Sequence, residues 1–149
     1  FFFKDKDLIV VGGVAGNLHG AARITYDIDV VYSRRPHNLD RLASALDAQH
    51  AYLRGAPRGL PFRLDSATLG RGLNFTLTTD AGDIDLLGEI IGGGAYEDLL
   101  PYSDPIDLFG YTCQVVSLEK LIALKRAAGR PKDFDAIAEL EALLEERDR

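Results

Sequence analysis

Two carboxylates sit two residues apart inside an apolar, β-branched run, Asp27-Ile28-Asp29-Val30-Val31-Tyr32, and this spacing constrains the chain more than any other feature. On a strand, alternate residues share a face, so Asp27 and Asp29 lie about 6.5 to 7 Å apart on one surface while Ile28, Val30 and Tyr32 point the other way. At an effective dielectric of about 20 the two charges repel by roughly 2 kcal/mol. A fold that keeps them together must bring positive charge to that surface. Magnesium does this in two-metal phosphoryl transfer, where a pair of hard ions takes oxygen ligands and stabilises both the attacking and the leaving oxygen. An isolated Asp-x-Asp pair is also the pattern of a solvated strand face, so the rest of the chain has to decide.

Upstream, Leu8-Ile9-Val10-Val11 reads as a buried strand that ends in a tight turn at Gly12-Gly13. Glycines at a strand-to-helix junction let backbone N–H groups approach a phosphate, although Gly-Gly alone marks only a turn. Downstream, Asp83-Ile84-Asp85-Leu86-Leu87 offers a third acid. Asp85 is the better candidate because apolar residues flank it on both sides. Asp83 adjoins the Gly82 turn and is expected to be solvated.

A helix is expected over Val14 to Ala22 and a strand over Ile24 to Tyr32, followed by a helix that Asn38 caps and that ends near His50. Ala51 to Gly72 reads as loop with one helical turn at Ser66 to Arg71. Leu73 to Thr79 and Gly82 to Leu87 form a hairpin, and Gly92-Gly93-Gly94 a hinge or loop with a helical turn after it at Tyr96 to Leu100. A second hairpin pairs Ile106 to Phe109 with Tyr111 to Val116. Ser117 caps a helix with Leu118, Leu121, Ile122 and Leu124 on its apolar stripe, and a last helix follows Pro131. The fold class is therefore α/β: a small mixed β-sheet with flanking helices. Residues 1–116 make the core and 117–149 a C-terminal helical segment packed on it.

In order along the chain, Val11-Gly12-Gly13, Asp27-Ile28-Asp29-Val30 and Ile84-Asp85-Leu86 resemble the signature of the DNA polymerase beta-type nucleotidyltransferases. Three longer stretches, Gly12 to Gly20, Arg23 to Asp29 and Lys125 to Asp133, are similar to the minimal group that includes the nucleotidyltransferase toxins of type IV toxin–antitoxin systems. The resemblance implies the nucleotidyltransferase fold and transfer of a nucleoside monophosphate from an NTP to a hydroxyl acceptor. It implies that Gly12 and Gly13 hold the triphosphate and that Asp27 and Asp29 bind two Mg²⁺ ions. It further implies that Asp85 binds one metal and helps deprotonate the acceptor, and that Lys125 contacts phosphate or nucleotide while Asp133 steadies the turn. Asp83 departs from the pattern, since relatives often carry a basic or neutral residue there.

Several residues keep two readings. Arg23, with Thr25 beside it ahead of the acid pair, either reaches the β- or γ-phosphate or pairs with Asp27 or Asp29. His19 reads as a pocket wall or surface residue, Arg130 and Lys132 as solvated charges or phosphate contacts, and Tyr26 and Phe75 as core or rim aromatics or base-stacking platforms. For the acceptor, the 3′ end of tRNA, a cognate toxin or antitoxin protein and a small molecule are all open, and ATP is one candidate nucleotide. The rival class is a catalytically silent nucleotide-binding or protein-interaction module with the same fold.

Composition bounds these readings. At 149 residues, 46% hydrophobic and 27% charged, the chain fits one compact unit. A net charge of −6 opposes a broad electrostatic grip on nucleic acid, although basic residues cluster at Arg34-Arg35, Arg54 to Arg63 and Lys120 to Lys132. The lone Cys113 fits a reducing compartment and a buried position, and no apolar run reaches the roughly 18 to 20 residues of a membrane span, so a cytoplasmic protein is expected. The chain opens on Phe1-Phe2-Phe3 and holds no methionine, so a native start beyond Phe1 is expected.

Overall fold

The computed structural model describes residues 4–108 and 110–149. The expected strand end at Phe109 lies outside them. β1 (Leu8–Val11) runs into α1 (Gly12–Leu18), β2 (Asp27–Tyr32) and α2 (Pro36–Ala48). β3 (Tyr52–Leu53), α3 (Ser66–Arg71), β4 (Asn74–Thr79) and β5 (Gly82–Leu87) follow. β6 (Glu89–Ile90), β7 (Gly94–Ala95), α4 (Tyr96–Leu99), β8 (Ser103–Leu108) and β9 (Tyr111–Val116) lead to α5 (Leu118–Ala128) and α6 (Phe134–Arg147).

Among the described residues, seven strands form one sheet in the order β3-β4-β5-β2-β1-β9-β8. β1 pairs antiparallel with β2 and parallel with β9, and β2 pairs parallel with β5, so the sheet is mixed as expected. All four residues of β1 are at most 4% exposed, which requires cover on both faces of the sheet centre. That cover comes from Leu39, Leu42 and Leu46 of α2, Leu69 of α3, Leu121 of α5 and Leu140 of α6, which join the β1, β2 and β9 side chains in one core. No described helix is long and apolar enough to cross a membrane.

Both expected hairpins form, the second with its first strand starting at Ser103 rather than Ile106, and the Ser117 cap stands as expected: Ser117 Oγ accepts from the Lys120 N–H at 3.2 Å. Cys113 is buried. Four other local expectations are corrected. α1 begins at Gly12 rather than Val14 and stops at Leu18, with His19 as its C-cap. β2 begins at Asp27 rather than Ile24, which leaves Ile24 and Tyr26 81% and 88% exposed. Asn38 is no cap, since α2 starts at Pro36. It is instead a buried side chain that accepts from the Asp7 N–H and donates to the Asp7 and Ser33 carbonyls, tying the entrance of β1 to the exit of β2. The glycine run is no open hinge either. Gly94 pairs with Ile90 in the β6–β7 hairpin, and Gly93 lies so close to Leu124 of α5 that a side chain there would collide.

Candidate active site

β2 and β5 run parallel in direct register, so Asp27 faces Asp83 and Asp29 faces Asp85. Strand periodicity then puts all four carboxylates on one face as a two-by-two grid. Gly12 has φ +67°, and a β-carbon added to it would overlap the Asp29 carboxylate. Only glycine lets the β1–α1 turn pass this close to an acid. A β-carbon on Gly13 would press against Thr25 at 3.0 Å, and the Thr25 hydroxyl donates to the Asp27 carbonyl at 3.2 Å. The glycine turn, Thr25 and the first two acids thus form one packed unit.

The acids open onto a cleft with two adjoining halves. A polar cavity of about 470 Å³ is lined by Gly12, Gly13, Thr25, Asp27, Asp29, Asp85, Lys125, Arg130 and Lys132, with Ile24 and Tyr26 at its rim. A cavity of about 380 Å³ shares Gly12, Asp29, Asp85, Lys125 and Arg130 with it but is otherwise walled by Leu87, Ile90, Ile91, Leu121, Leu124 and Ala128. The β6–β7 hairpin seated on α5 supplies one side of this apolar half. Charge at one end and hydrocarbon at the other is the character of a site for a ligand with a phosphate and a ring.

Burial pushes the Asp29 carboxyl up to about 6, and the neighbouring Asp85 and Asp27 push it the same way while Lys125 opposes them. Lys125 is itself nearly buried and lies 3.8 Å from Asp133, which is only 7% exposed and also holds Arg130 at 2.7 Å. Asp133, at the end of the Gly-Arg-Pro-Lys-Asp turn, thus anchors Lys125 of α5, which lines the cleft beside the acids.

Three sequence-level candidates stand elsewhere. Arg23 pairs with Glu139 of α6 at 3.6 Å rather than with Asp27 or Asp29, and the same carboxylate accepts from the Ala22 N–H. The Asn17 side-chain amide lies 2.8 Å from the Arg23 carbonyl and 3.1 Å from that of Ala21, which fixes the loop on α1. His19 meets the Val116 carbonyl through Nε2 at 2.7 Å, a contact that ties α1 to the end of β9. Phe75 is half-buried and packs against the core.

Arg54 is the residue that sequence reading missed. It follows the two-residue strand β3, and its backbone N–H donates to Thr76 O at 3.0 Å. The side chain reaches across β4 and β5 to β2, with Nη2 2.9 Å from Asp85, Nε 3.2 Å from Asp83 and Nη1 3.6 Å from Asp27. Nη2 also donates to the Leu77 carbonyl at 2.8 Å. Asp83, expected to be solvated, is held by this guanidinium and by a 2.9 Å hydrogen bond from the Thr78 hydroxyl. Carboxylate oxygens are the donors a hard divalent ion takes, and Arg54 stands in as a cation among them. Among the described residues no three acidic, His or Cys side chains already converge on a metal-sized point. Three of the four grid acids are drawn onto the guanidinium instead.

A family model described as the nucleotidyl transferase AbiEii toxin of a type IV toxin–antitoxin system matches residues 1–134. Mixed sheet and match together put the chain in the nucleotidyltransferase class. It belongs to the AbiEii nucleotidyltransferase toxin family of type IV toxin–antitoxin systems, which bears out the resemblance read from the glycines and acids. No curated protein sequence matches the chain.

Proposed function

We propose that this protein transfers a nucleoside monophosphate from an NTP to a hydroxyl acceptor, with Asp27, Asp29 and Asp85 as the metal-binding acids. The observation that carries this reading is the in-register pairing of Asp29 with Asp85 beside the Gly12 turn, at the mouth of a cleft that Lys125 also lines. Mg²⁺ ions held by the three acids supply, when bound, the positive charge that neutralises the phosphate oxygens. Gly12 and Gly13 present backbone to the triphosphate, and Lys125 pairs with a phosphate oxygen. The acceptor hydroxyl oxygen forms a bond to the α-phosphorus, and the bond from that phosphorus to the β-bridging oxygen breaks. Pyrophosphate leaves with the bonding pair. The hydroxyl proton passes to the Asp85 carboxylate and on to water.

An RNA 3′-hydroxyl is the acceptor best supported, because Lys125, Arg130 and Lys132 line the polar half and Tyr26 stands exposed at its rim as a stacking surface. As a member of a toxin–antitoxin family, the protein is expected to have a cognate antitoxin partner. Incubation with each α-labelled NTP, Mg²⁺ and, in turn, total RNA, the antitoxin candidate or small alcohols tests the reading. Label on RNA is expected; label on protein alone overturns the choice of acceptor, and no release of pyrophosphate with any acceptor overturns the activity. The Arg54 contacts favour one alternative, a silent nucleotide-binding module whose acids are permanently engaged by the guanidinium. NTP binding without pyrophosphate release identifies it.

A further inference from the structure

We infer that Arg54 is a built-in counter-ion of the acid grid, which offsets part of the charge of Asp27, Asp83 and Asp85 and must give up at least Asp27 and Asp85 before these acids bind a divalent metal. The inference rests on the metal-binding role proposed for Asp27, Asp29 and Asp85. One guanidinium touches three of the four acids, at 2.9, 3.2 and 3.6 Å, although its backbone follows the edge strand β3, with β4 and β5 between it and β2. Four carboxylates on one face repel strongly without such a charge. Asp29 is the grid acid outside this set of three ion pairs.

The geometry also shows why Arg54 is a competitor rather than a helper of the metal. Nη2 sits on Asp85 Oδ1, and Nη1 approaches Asp27 Oδ2, so the guanidinium occupies ligand atoms. Nη2 also has acceptors other than the acid, since it donates to the Leu77 carbonyl at 2.8 Å as well as to Asp85. The side chain is only 26% exposed and is anchored at its backbone by Thr76, so a modest swing about the side-chain torsions, without strand movement, releases the acids. Arg54 is thus a positioning residue that sets the metal concentration at which the site assembles.

Calorimetric titration of Mg²⁺ into the full chain, without nucleotide, compares the unmutated protein with Arg54→Gln and Arg54→Lys. Arg54→Gln is expected to bind Mg²⁺ at least tenfold more tightly and, free of metal, to melt at a lower temperature. Arg54→Lys, which keeps the charge, is expected to stay within about threefold of the unmutated protein. In the unmutated protein, the Arg54 Nη–H resonances are expected to shift as Mg²⁺ is added, a readout that needs no variant to fold. Equal or weaker Mg²⁺ binding by Arg54→Gln, or an Arg54 resonance that ignores saturating Mg²⁺, overturns the inference and leaves the proposed function standing. Mg²⁺ binding by none of the three proteins overturns both.

Discussion

Gly12 and Asp29 lie so close that no side chain fits between them: a β-carbon on Gly12 would overlap the Asp29 carboxylate, at a backbone φ of +67°. Gly12→Ala therefore meets two costs, a left-handed backbone worth about 1 to 2 kcal/mol and a displaced acid. Expected outcomes are a destabilisation of about 2 kcal/mol by denaturant unfolding and a loss of nucleotide transfer of at least a hundredfold. Retained activity in the folded variant would show that Asp29 has room to move.

The two neighbouring acids on β5 are separable. Asp85 pairs with Asp29 of β2 and lines both halves of the cleft, whereas Asp83 faces Asp27 and is held by Thr78 and Arg54. Asp85→Asn should abolish transfer. Asp83→Asn should keep activity within about tenfold, a modest loss that follows from one charge fewer on Arg54. Initial rates at saturating Mg²⁺ decide this, and the reverse order of effects would move the third metal ligand to Asp83.

Much of this arrangement is legible in the sequence because strand periodicity is short-range. Two residues apart on Asp27 to Tyr32 means one face, whatever the tertiary context, and apolar flanks separate Asp85 from Asp83. Arg54 is hidden for the opposite reason. It lies in a Gly-, Pro- and Arg-rich segment, its strand is two residues long, and its partners are some 30 positions away in sequence on strands whose order no local pattern encodes. Asn38 misleads because a polar residue before an apolar stripe looks like a cap, while its three hydrogen bonds to Asp7 and Ser33 are tertiary. Arg23 misleads likewise, since Glu139 on α6 is a nearer partner than the adjacent acids.

Acid titration carries a signature of the grid. An ordinary carboxyl has a pKa of 3.8, and that of Asp29 is pushed up to about 6. Between these values the folded chain holds a proton that the unfolded chain has lost, so this group makes stability fall as pH rises from about 4 to about 6 and adds no slope above that. Asp29→Asn removes the effect. Urea unfolding in chelator at pH 4.5, 5.5, 6.5 and 7.5 should show the variant gaining stability relative to the unmutated protein as pH rises, then levelling off. A difference between the two proteins that stays constant with pH contradicts the assignment.

Asp133 holds Lys125 and Arg130 from behind the cleft while only 7% exposed. Asp133→Ala leaves a nearly buried lysine without its partner, a loss expected to cost about 3 kcal/mol. Lys125→Met removes the cation instead, and should leave the melting temperature within a few degrees while weakening NTP binding at least tenfold. Equal NTP affinity in Lys125→Met, read by calorimetry, would take Lys125 out of the phosphate site.

The central claim is that the grid face of β2 and β5 carries out nucleotidyl transfer. Its most direct test is pyrophosphate release by purified Asp29→Ala and unmutated protein, supplied with Mg²⁺, each NTP and total RNA. Release by the unmutated protein and none by a folded Asp29→Ala is the predicted result; equal release by the two proteins contradicts it.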